Sequence, residues 1–302
     1  MTIAFIATGD IALPTFRHLI DHGPKPCLLI TQPDKPVGRS QSSTVPPEIK
    51  TVALAHDIPV WQPEKIKEVG QKLTEIAPDF IVVMAYGQII GKVVREAASK
   101  AIINLHASIL PKYRGASCIQ SAINNGDAET GITIMHIIRE LDAGDIICTK
   151  KIRIGDTETA GELHDRLAEL GPSALSEALE ILEADPSAGT PQKEAEVTYS
   201  PKLLRENGRL DFSQSAELIE QTIRAYHPWP GTFTEVEIRG KSKRLKIFPP
   251  AIPIEFAAPQ GELVTHEGEL LIGCGGNSLK LASIQPEGSK QMPASALANS
   301  LS

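Results

Sequence analysis

An apolar segment that ends in two polar side chains carries the strongest chemical signal in this sequence. Residues 101–106 read Ala-Ile-Ile-Asn-Leu-His. In a β-strand, residues i and i+2 share a face, so Asn104 and His106 are expected on the same face. An amide can donate a hydrogen bond to a developing oxyanion, and an imidazole can move a proton near neutral pH. Alternatively, both residues only hydrogen-bond a loop at the end of the strand.

A second segment supplies carboxylates. In residues 131–145, a predicted strand leads into a loop that contains Asp142 and Asp145, either of which could orient the imidazole of His106. An Asn, a His and an Asp without an evident nucleophile favour direct acyl transfer or amide hydrolysis. The sequence holds no G-x-S-x-G motif, which argues against covalent serine catalysis, so Ser108 is expected to bind the loop backbone.

Signals for metal and nicotinamide sites are weak. His18 and His22 stand four residues apart, but the Glu of H-E-x-x-H is missing, so we expect a solvated helix face and no metal site. Residues 7–10 end the first predicted strand like a dinucleotide turn, yet G-x-G-x-x-G is absent. The four cysteines are widely spaced without a C-x-x-C pair, which favours reduced, buried thiols over zinc or disulfides.

Two basic features could contact an acidic partner. Lys35 and Arg39 flank a Pro/Gly/Ser-containing loop at residues 32–44. A second cluster, in the C-terminal third, consists of Arg239, Lys241, Lys243, Arg244 and Lys246. An RNA-phosphate contact and a solvated β-surface are both open interpretations of this cluster.

The elements that must position these residues alternate between strands and helices over the first half of the chain. This pattern predicts crossover connections and a mostly parallel, doubly wound sheet. Strands are predicted at residues 2–7, 27–31, 59–61, 80–85, 101–106, 131–138 and 145–152. Helices are predicted at residues 13–21, 47–55, 64–76, 159–183 and 215–225.

The composition changes after the long helix. Pro, Gly, Ser and charged residues without periodicity predict a linker at 188–206, after an α/β domain at 1–187. Short runs split by Pro and Gly in the domain at 207–302 predict a small barrel or sandwich. The fold class is therefore α/β with a C-terminal β domain.

Length and composition are those of an ordinary globular protein. The chain has 302 residues, of which 41% are hydrophobic and 22% charged. Its apolar runs are far shorter than the ~18 residues that a membrane helix needs, and no signal peptide precedes the first strand, so we expect a cytoplasmic protein. The C-terminal third from residue 201 is neutral, and the rest of the chain carries the net charge of −7. This balance argues against non-specific DNA packaging but permits a local basic patch.

Motifs along nearly the whole chain resemble the methionyl-tRNA formyltransferase family, and more broadly the enzymes that use 10-formyltetrahydrofolate. The matching segments lie at residues 31–39, 84–87, 104–115, 126–135, 141–145, 167–172, 208–212 and 223–231. Departures from the family pattern are Ala7-Thr-Gly9, where Gly-Thr-Pro is usual, and residues 40–44, where extra Lys residues are common.

The resemblance implies a Rossmann-like catalytic domain, an OB-like C-terminal barrel and a role for each matching residue. Asn104, His106 and Asp142 would be the catalytic group. The turn Ser108, Ile109, Leu110, Pro111 would bind tetrahydrofolate. Contacts to tRNA are expected from Arg39, and from Lys241, Lys243 and Arg244 of the basic cluster.

The implied activity is transfer of the formyl group of 10-formyltetrahydrofolate, as co-substrate, to the methionyl amine of initiator methionyl-tRNA in translation initiation. The implied enzyme is a monomer without a metal. Formylation of an amino sugar nucleotide is an alternative that needs the same three residues but no tRNA surface. A catalytically idle RNA-binding protein is the non-enzymatic alternative.

Overall fold

The computed structural model describes residues 1–37, 43–238 and 240–301. The chain divides into two compact units. The first, unit 1, consists of Met1–Gly115, Thr130–Ile152 and His164–Tyr199. The second, unit 2, consists of Ala116–Glu129, Arg153–Leu163 and Ser200–Ser302.

The first half of the chain alternates strands with helices, as the sequence predicts. Its strands are β1 (Ile3–Ala7), β2 (Leu28–Ile30), β3 (Lys35–Val37), β4 (Ser43–Val45), β5 (Val60–Trp61), β6 (Phe80–Met84), β7 (Ala101–His106), β8 (Arg114–Gly115), β9 (Glu129–His136) and β10 (Ile146–Arg153). Its helices are α1 (Leu13–Asp21), α2 (Glu48–Ala55), α3 (Gly70–Ile76), α4 (Lys92–Arg95), α5 (Cys118–Asn124) and α6 (Ala160–Ala184).

Seven strands form the main sheet in the described part of the chain, in the order β10-β9-β7-β6-β1-β2-β5. The five strands β7, β6, β1, β2 and β5 run parallel, and β9 is antiparallel to β7. The strand order reverses between β1 and β6, and such a reversal creates a crevice at the carboxyl ends of the strands. This arrangement confirms the predicted mostly parallel α/β sheet.

The central strands are apolar because both faces of the sheet are covered. All five residues of β1 are fully buried, and β6 is buried along its whole length. Strands buried on both faces read as continuous hydrophobic runs rather than as alternating patterns. The predicted strand at 101–106 and helix at 13–21 match β7 and α1 to the residue.

The predicted helix at 64–76 is wrong in its first half. The chain forms a 3-10 turn at Ile66–Val69 and becomes α-helical only from Gly70. Glycine is a poor helix former, and a Cβ at Gly70 would lie 2.9 Å from Cγ1 of Val93. The close approach of Val93 therefore requires a glycine at position 70, and this glycine also weakens the helix.

Helix α6 begins with a reciprocal cap. The hydroxyl of Thr159 accepts a hydrogen bond from the backbone N–H of Glu162, and the Glu162 carboxylate accepts one from the backbone N–H of Thr159. These contacts satisfy donors that a helix start leaves unpaired. They also lower the pKa of Glu162 below its ordinary value.

The rest of the chain is mainly antiparallel sheet. Its elements are β11 (Tyr199–Ser200), α7 (Ala216–Ala225), β12 (Thr232–Ile238), β13 (Lys241–Ile254), β14 (Leu263–His266), β15 (Glu269–Gly273), β16 (Ser278–Pro286), β17 (Met292–Pro293) and α8 (Ala294–Leu301). Counted over the described residues, six strands form an antiparallel half-barrel in the order β12-β13-β16-β15-β14, with β17 paired to β16. This confirms a small C-terminal β domain.

One side of this half-barrel packs around helix α7. Ala216, Ile219 and Ile223 of α7 are buried in one cluster with Leu245 and Leu279 of the sheet. Their spacing of three and four residues places them on one face of the helix, which explains why the sequence predicts this helix correctly.

Three of the four cysteines follow the sequence expectation. Cys118, Cys148 and Cys274 are buried free thiols. The expectation that Cys27 is buried is wrong, because its side chain is exposed where the chain enters β2. Among the described residues, no helix is both long and apolar enough to cross a membrane.

Candidate functional site

Strand β7 presents Asn104 and His106 at the carboxyl edge of the sheet. Asn104 pairs with Val83 of β6, and His106 pairs with Thr133 of β9. His106 is buried, with 6% of its surface exposed, whereas Asn104 is half-buried. Within the described residues, no hydrogen-bond partner of the Asn104 amide is found. The amide is thus available to a ligand at this edge.

The backbone defines the role of each nitrogen of His106. Nε2 lies 2.9 Å from the carbonyl oxygen of Tyr113. A carbonyl only accepts hydrogen bonds, so Nε2 carries a hydrogen and donates it. In the neutral ring, Nδ1 is therefore the basic nitrogen, and it lies 3.8 Å from Oδ2 of Asp142. A proton taken up at Nδ1 creates an imidazolium beside a carboxylate.

Asp142, rather than Asp145, faces the imidazole. The Asp142 carboxylate accepts a hydrogen bond of 2.8 Å from the backbone N–H of Gly115. Its backbone has a φ of 49°, a left-handed conformation that is uncommon outside glycine. The backbone carbonyl of Asp145 accepts a hydrogen bond from the N–H of His136 at the closing end of the same loop. The loop between β9 and β10 thereby decides which of the two carboxylates approaches His106.

The turn after β7 is fixed by Ser108 and Thr133. The Ser108 hydroxyl donates to the carbonyl of Lys112 at 2.7 Å, and the Thr133 hydroxyl donates to the carbonyl of Ser108 at 2.6 Å. The Thr133 oxygen also accepts from the N–H of Leu110 at 3.2 Å, next to the cis Leu110–Pro111 peptide bond. These bonds leave Ile109 and Pro111 half-buried on the turn.

Sequence reasoning missed three residues that complete this arrangement. Tyr113 contributes its carbonyl, Gly115 its N–H and Thr133 its hydroxyl. A backbone group leaves no trace in residue type, so only Thr133 carried a signal. It is a polar residue between Ile132 and Ile134 in the predicted strand at 131–138.

The residues predicted to bind tRNA are only partly within the described structure. Arg39 and Arg239 lie outside the described residues. In β13, Lys241 pairs with Ile238 and Lys243 with Val236, whereas Arg244 pairs with Glu235.

Strand alternation separates the members of the basic cluster. Arg244 and Lys246 lie on one face of unit 2, and Lys241 and Lys243 on the other. The guanidinium of Arg244 stacks over the ring of Phe233 at 4.2 Å from its centroid. The cluster is therefore two small basic patches.

Three titratable groups of unit 1 have shifted pKa values. Burial, with a smaller contribution from the nearby Glu68 charge, raises the pKa of Tyr86 to about 12. His164 lies 3.2 Å from Asp10, and this contact raises the pKa of His164 and lowers that of Asp10. Within residues 1–37, 43–238 and 240–301, no group of three or more His, Cys, Asp or Glu side chains could hold a metal ion.

Comparison of the sequence with known families gives two matches. A family described as formyl transferase matches residues 1–179, and one described as formyl transferase, C-terminal domain, matches residues 202–302. Methionyl-tRNA formyltransferase of Akkermansia muciniphila is 48% identical over 302 residues, which cover 98% of this chain and 96% of that protein. Methionyl-tRNA formyltransferase of Geobacter metallireducens is 38% identical over 296 residues, which cover 97% of this chain and 94% of that protein.

Solved structures share the fold. An N-formyltransferase of Helicobacter canadensis in complex with folinic acid and dTDP-3-aminofucose has a TM-score of 0.68 at 18% identity, covering 94% of this chain and 98% of that one. WlaRD, a sugar 3N-formyl transferase, has a TM-score of 0.66 at 18% identity, covering 96% and 99%. HypX of Aquifex aeolicus in complex with tetrahydrofolic acid has a TM-score of 0.65 at 18% identity, and this chain spans 46% of its length.

These structural likenesses establish the fold, whereas the sequence relatives, similar over nearly their whole length, establish the family. The matches span both units of the chain and include the segments that carry Asn104, His106 and Asp142. The chain belongs to the methionyl-tRNA formyltransferase family of formyl transferases.

Proposed function

We propose that this chain transfers the formyl group of 10-formyltetrahydrofolate to the α-amino group of methionine on initiator methionyl-tRNA, for translation initiation. The observation that carries the proposal is the placement of Asn104, His106 and Asp142 at the carboxyl edge of the sheet, in a chain 48% identical to a methionyl-tRNA formyltransferase. The catalytic domain would be 1–187, joined by a linker at 188–206 to a C-terminal domain at 207–302.

Three side chains divide the work of the reaction. The reaction forms a bond from the amine nitrogen to the formyl carbon, breaks the bond from that carbon to the folate nitrogen, and moves one proton. The Asn104 amide, free of protein partners in the described structure, donates a hydrogen bond to the formyl oxygen as negative charge develops there. Nδ1 of His106 accepts the proton from the attacking amine and returns it to the departing folate nitrogen.

Asp142 supports His106 without touching the substrate. Its carboxylate, 3.8 Å from Nδ1, stabilises the imidazolium that exists while His106 holds the proton. The hydrogen bond from Nε2 to the carbonyl of Tyr113 fixes the tautomer and the ring orientation. The ring is therefore oriented before substrate arrives.

The turn Ser108, Ile109, Leu110, Pro111 would hold the tetrahydrofolate. Its internal hydrogen bonds to Lys112 and Thr133 make it rigid, and its position directly after β7 places it beside His106. A rigid turn at this edge suits a flat, partly apolar ligand better than a mobile loop, because little ordering entropy is lost on binding.

Initiator methionyl-tRNA is the proposed partner of the basic residues. Lys241 and Arg244 are exposed, Lys243 is half-buried, and Arg39 belongs to the same proposal. Such contacts neutralise phosphates and make binding weaken with increasing salt. A monomeric state, a cytoplasmic location and a reaction without a metal complete the proposal.

The test is formyl transfer from 10-formyltetrahydrofolate to methionyl initiator tRNA, compared with transfer to an amino sugar nucleotide. We expect transfer to tRNA by the wild type and a loss of about 10²- to 10³-fold in kcat for Asn104→Ala, because one oxyanion donor is removed. Transfer only to the sugar would replace the proposal with sugar formylation. No transfer to either acceptor would refute the enzymatic function and favour an RNA-binding protein.

A further inference from the structure

Residues 188–194 form a strap along the loop that carries Asp142. Thr190 and Ile146 exchange two backbone hydrogen bonds, of 2.8 and 2.9 Å. The carbonyl of Ala188 accepts a hydrogen bond of 2.9 Å from Nε2 of His136. Gly189 approaches so closely that a Cβ there would lie 2.8 Å from the Cβ of Asp145. This stretch, which composition alone marks as linker, is tied to the strands on both sides of the loop.

Gln192 of the strap hydrogen-bonds to the loop that carries Asp142. Its Nε2 donates to the backbone carbonyls of Asp142 and Gly144, each at 2.8 Å. The two acceptors flank the residue after Asp142, so both bonds restrain the short stretch in which φ at Asp142 is left-handed. A side-chain amide that donates twice to one turn defines the direction in which the Asp142 carboxylate leaves the backbone.

Arg114 holds Gln192 in turn. Nε and Nη2 of the buried Arg114 donate to Oε1 of Gln192 at 3.1 and 2.9 Å, and Nη2 donates to Glu194 at 3.0 Å. Arg114 is 3% exposed, so its position is fixed by packing as well as by these bonds. The Gln192 amide is therefore oriented unambiguously, with its oxygen toward the guanidinium and its nitrogen toward the loop.

The segment that contains Arg114 also hydrogen-bonds to both His106 and Asp142. Tyr113 contributes the carbonyl that receives Nε2 of His106, and Gly115 contributes the N–H that binds the Asp142 carboxylate. Three consecutive residues thus contact His106, Gln192 and Asp142 in order. Gln192 adds a second link between this segment and the loop, since it accepts from Arg114 and donates to the carbonyls of Asp142 and Gly144.

We propose that Gln192 is a positioning residue for formyl transfer, which acts by holding Asp142 against His106 through its two bonds to the loop carbonyls. The proposal rests on the proposed function for its kinetic readout. Gln192 contacts no reacting atom in this arrangement, and its effect on the reaction passes through the Asp142 backbone.

Two substitutions separate this role from a merely structural one. Gln192→Glu keeps the oxygen that accepts from Arg114 but replaces the donating nitrogen with an oxygen that faces two carbonyls. Gln192→Met keeps the length of the side chain but loses both the accepting oxygen and the donating nitrogen. If Gln192 positions Asp142, we expect kcat for formyl transfer to methionyl-tRNA to fall at least about tenfold in both variants, because small misplacements of catalytic groups are costly. KM for both substrates should stay within about twofold.

If Gln192 serves only to satisfy the buried Arg114, the Glu variant would keep wild-type kcat and only the Met variant would be impaired. That outcome overturns the proposal, as does an unchanged kcat in both variants or a rise in KM alone. Gln285→Met is the matched control in unit 2, since it also removes a hydrogen bond from a glutamine Nε2 to a backbone carbonyl. Its kcat should equal that of the wild type.

A second measurement needs no activity. Hydrogen exchange of the Gly115 N–H, followed by NMR in the absence of substrates, reports the bond to the Asp142 carboxylate. We expect exchange at least about tenfold faster in Gln192→Glu than in the wild type, and unchanged protection would overturn the proposal. If the wild type transferred no formyl group, the proposed function would fail, but this exchange measurement would still test the positioning. If Gln192→Met failed to fold, the Glu variant alone would decide.

Discussion

Replacing Asp142 with Asn removes a charge while keeping the shape of the side chain. The amide oxygen of Asn can still accept the hydrogen bond from the N–H of Gly115. What is lost is the attraction between the carboxylate and a protonated His106, whose atoms lie 3.8 Å apart. At an effective dielectric constant of about 20, two unit charges at this distance attract by about 4 kcal/mol. This corresponds to about a thousandfold in rate, since ~1.4 kcal/mol is tenfold.

The observed loss should be smaller than this limit, because the Asp142 side chain is 14% exposed and partly screened. We therefore expect kcat for formyl transfer to fall between about tenfold and a thousandfold in Asp142→Asn. KM for methionyl-tRNA should change little, because Asp142 acts only once the proton has moved.

The assay is single-turnover formylation of methionyl initiator tRNA with saturating 10-formyltetrahydrofolate. Asp145→Asn is the matched control, since this carboxylate belongs to the same loop but no described contact joins it to His106. Its rate should stay close to that of the wild type. A loss of less than about fivefold in Asp142→Asn, or an equal loss in both variants, would refute the assignment of Asp142.

Two further predictions concern stability. The hydroxyl of Tyr86 is buried without a hydrogen-bond partner among the described residues, so Tyr86→Phe should raise the free energy of unfolding by about 1 kcal/mol in chemical denaturation; a decrease would contradict this reasoning. The contact between His164 and Asp10 is complete only where His164 is protonated and Asp10 ionised. The contact raises the pKa of His164 and lowers that of Asp10, so its stabilisation is fully present between pH 3.8 and pH 6.5, the ordinary pKa values of the two groups. The stabilisation is lost as the pH rises through the raised pKa of His164, and also as the pH falls through the lowered pKa of Asp10. Asp10 is largely exposed, so Asp10→Asn should lower Tm by only about 1 to 2 °C at pH 5.5 and by nothing at pH 9, and an equal shift at both pH values in a thermal melt would argue against the contact.

The basic cluster shows where a linear pattern misleads. In the sequence, Lys241, Lys243, Arg244 and Lys246 form one group, but they occupy one strand, β13. Side chains of a strand alternate between faces, so the group divides, and cross-strand pairing sets Arg244 opposite Glu235. The partners on β12 become known only with the register.

The short motif at 101–106 shows where a linear pattern suffices. Its apolar residues predict a buried strand, and the spacing of Asn104 and His106 alone places them on one face. Both facts follow from the pleat of a single strand. The same holds for α1 and α7, in which the helical repeat of apolar residues marks the buried face.

The sequence by itself determined the alternation of elements, the mostly parallel sheet, and the placement of Asn104 and His106 on one face at the end of a strand. Residue types and spacing alone left Asp142 and Asp145 equivalent, so that only the family resemblance favoured Asp142, and nothing in the sequence pointed to Gln192. Only the tertiary structure made these choices, through the bonds from Gly115 and Gln192 to the loop. Burial and periodicity are local properties of the chain. In contrast, each of these contacts joins a backbone atom to a side-chain atom of a residue 27 or 50 positions away, and whether the two meet depends on the folded path between them.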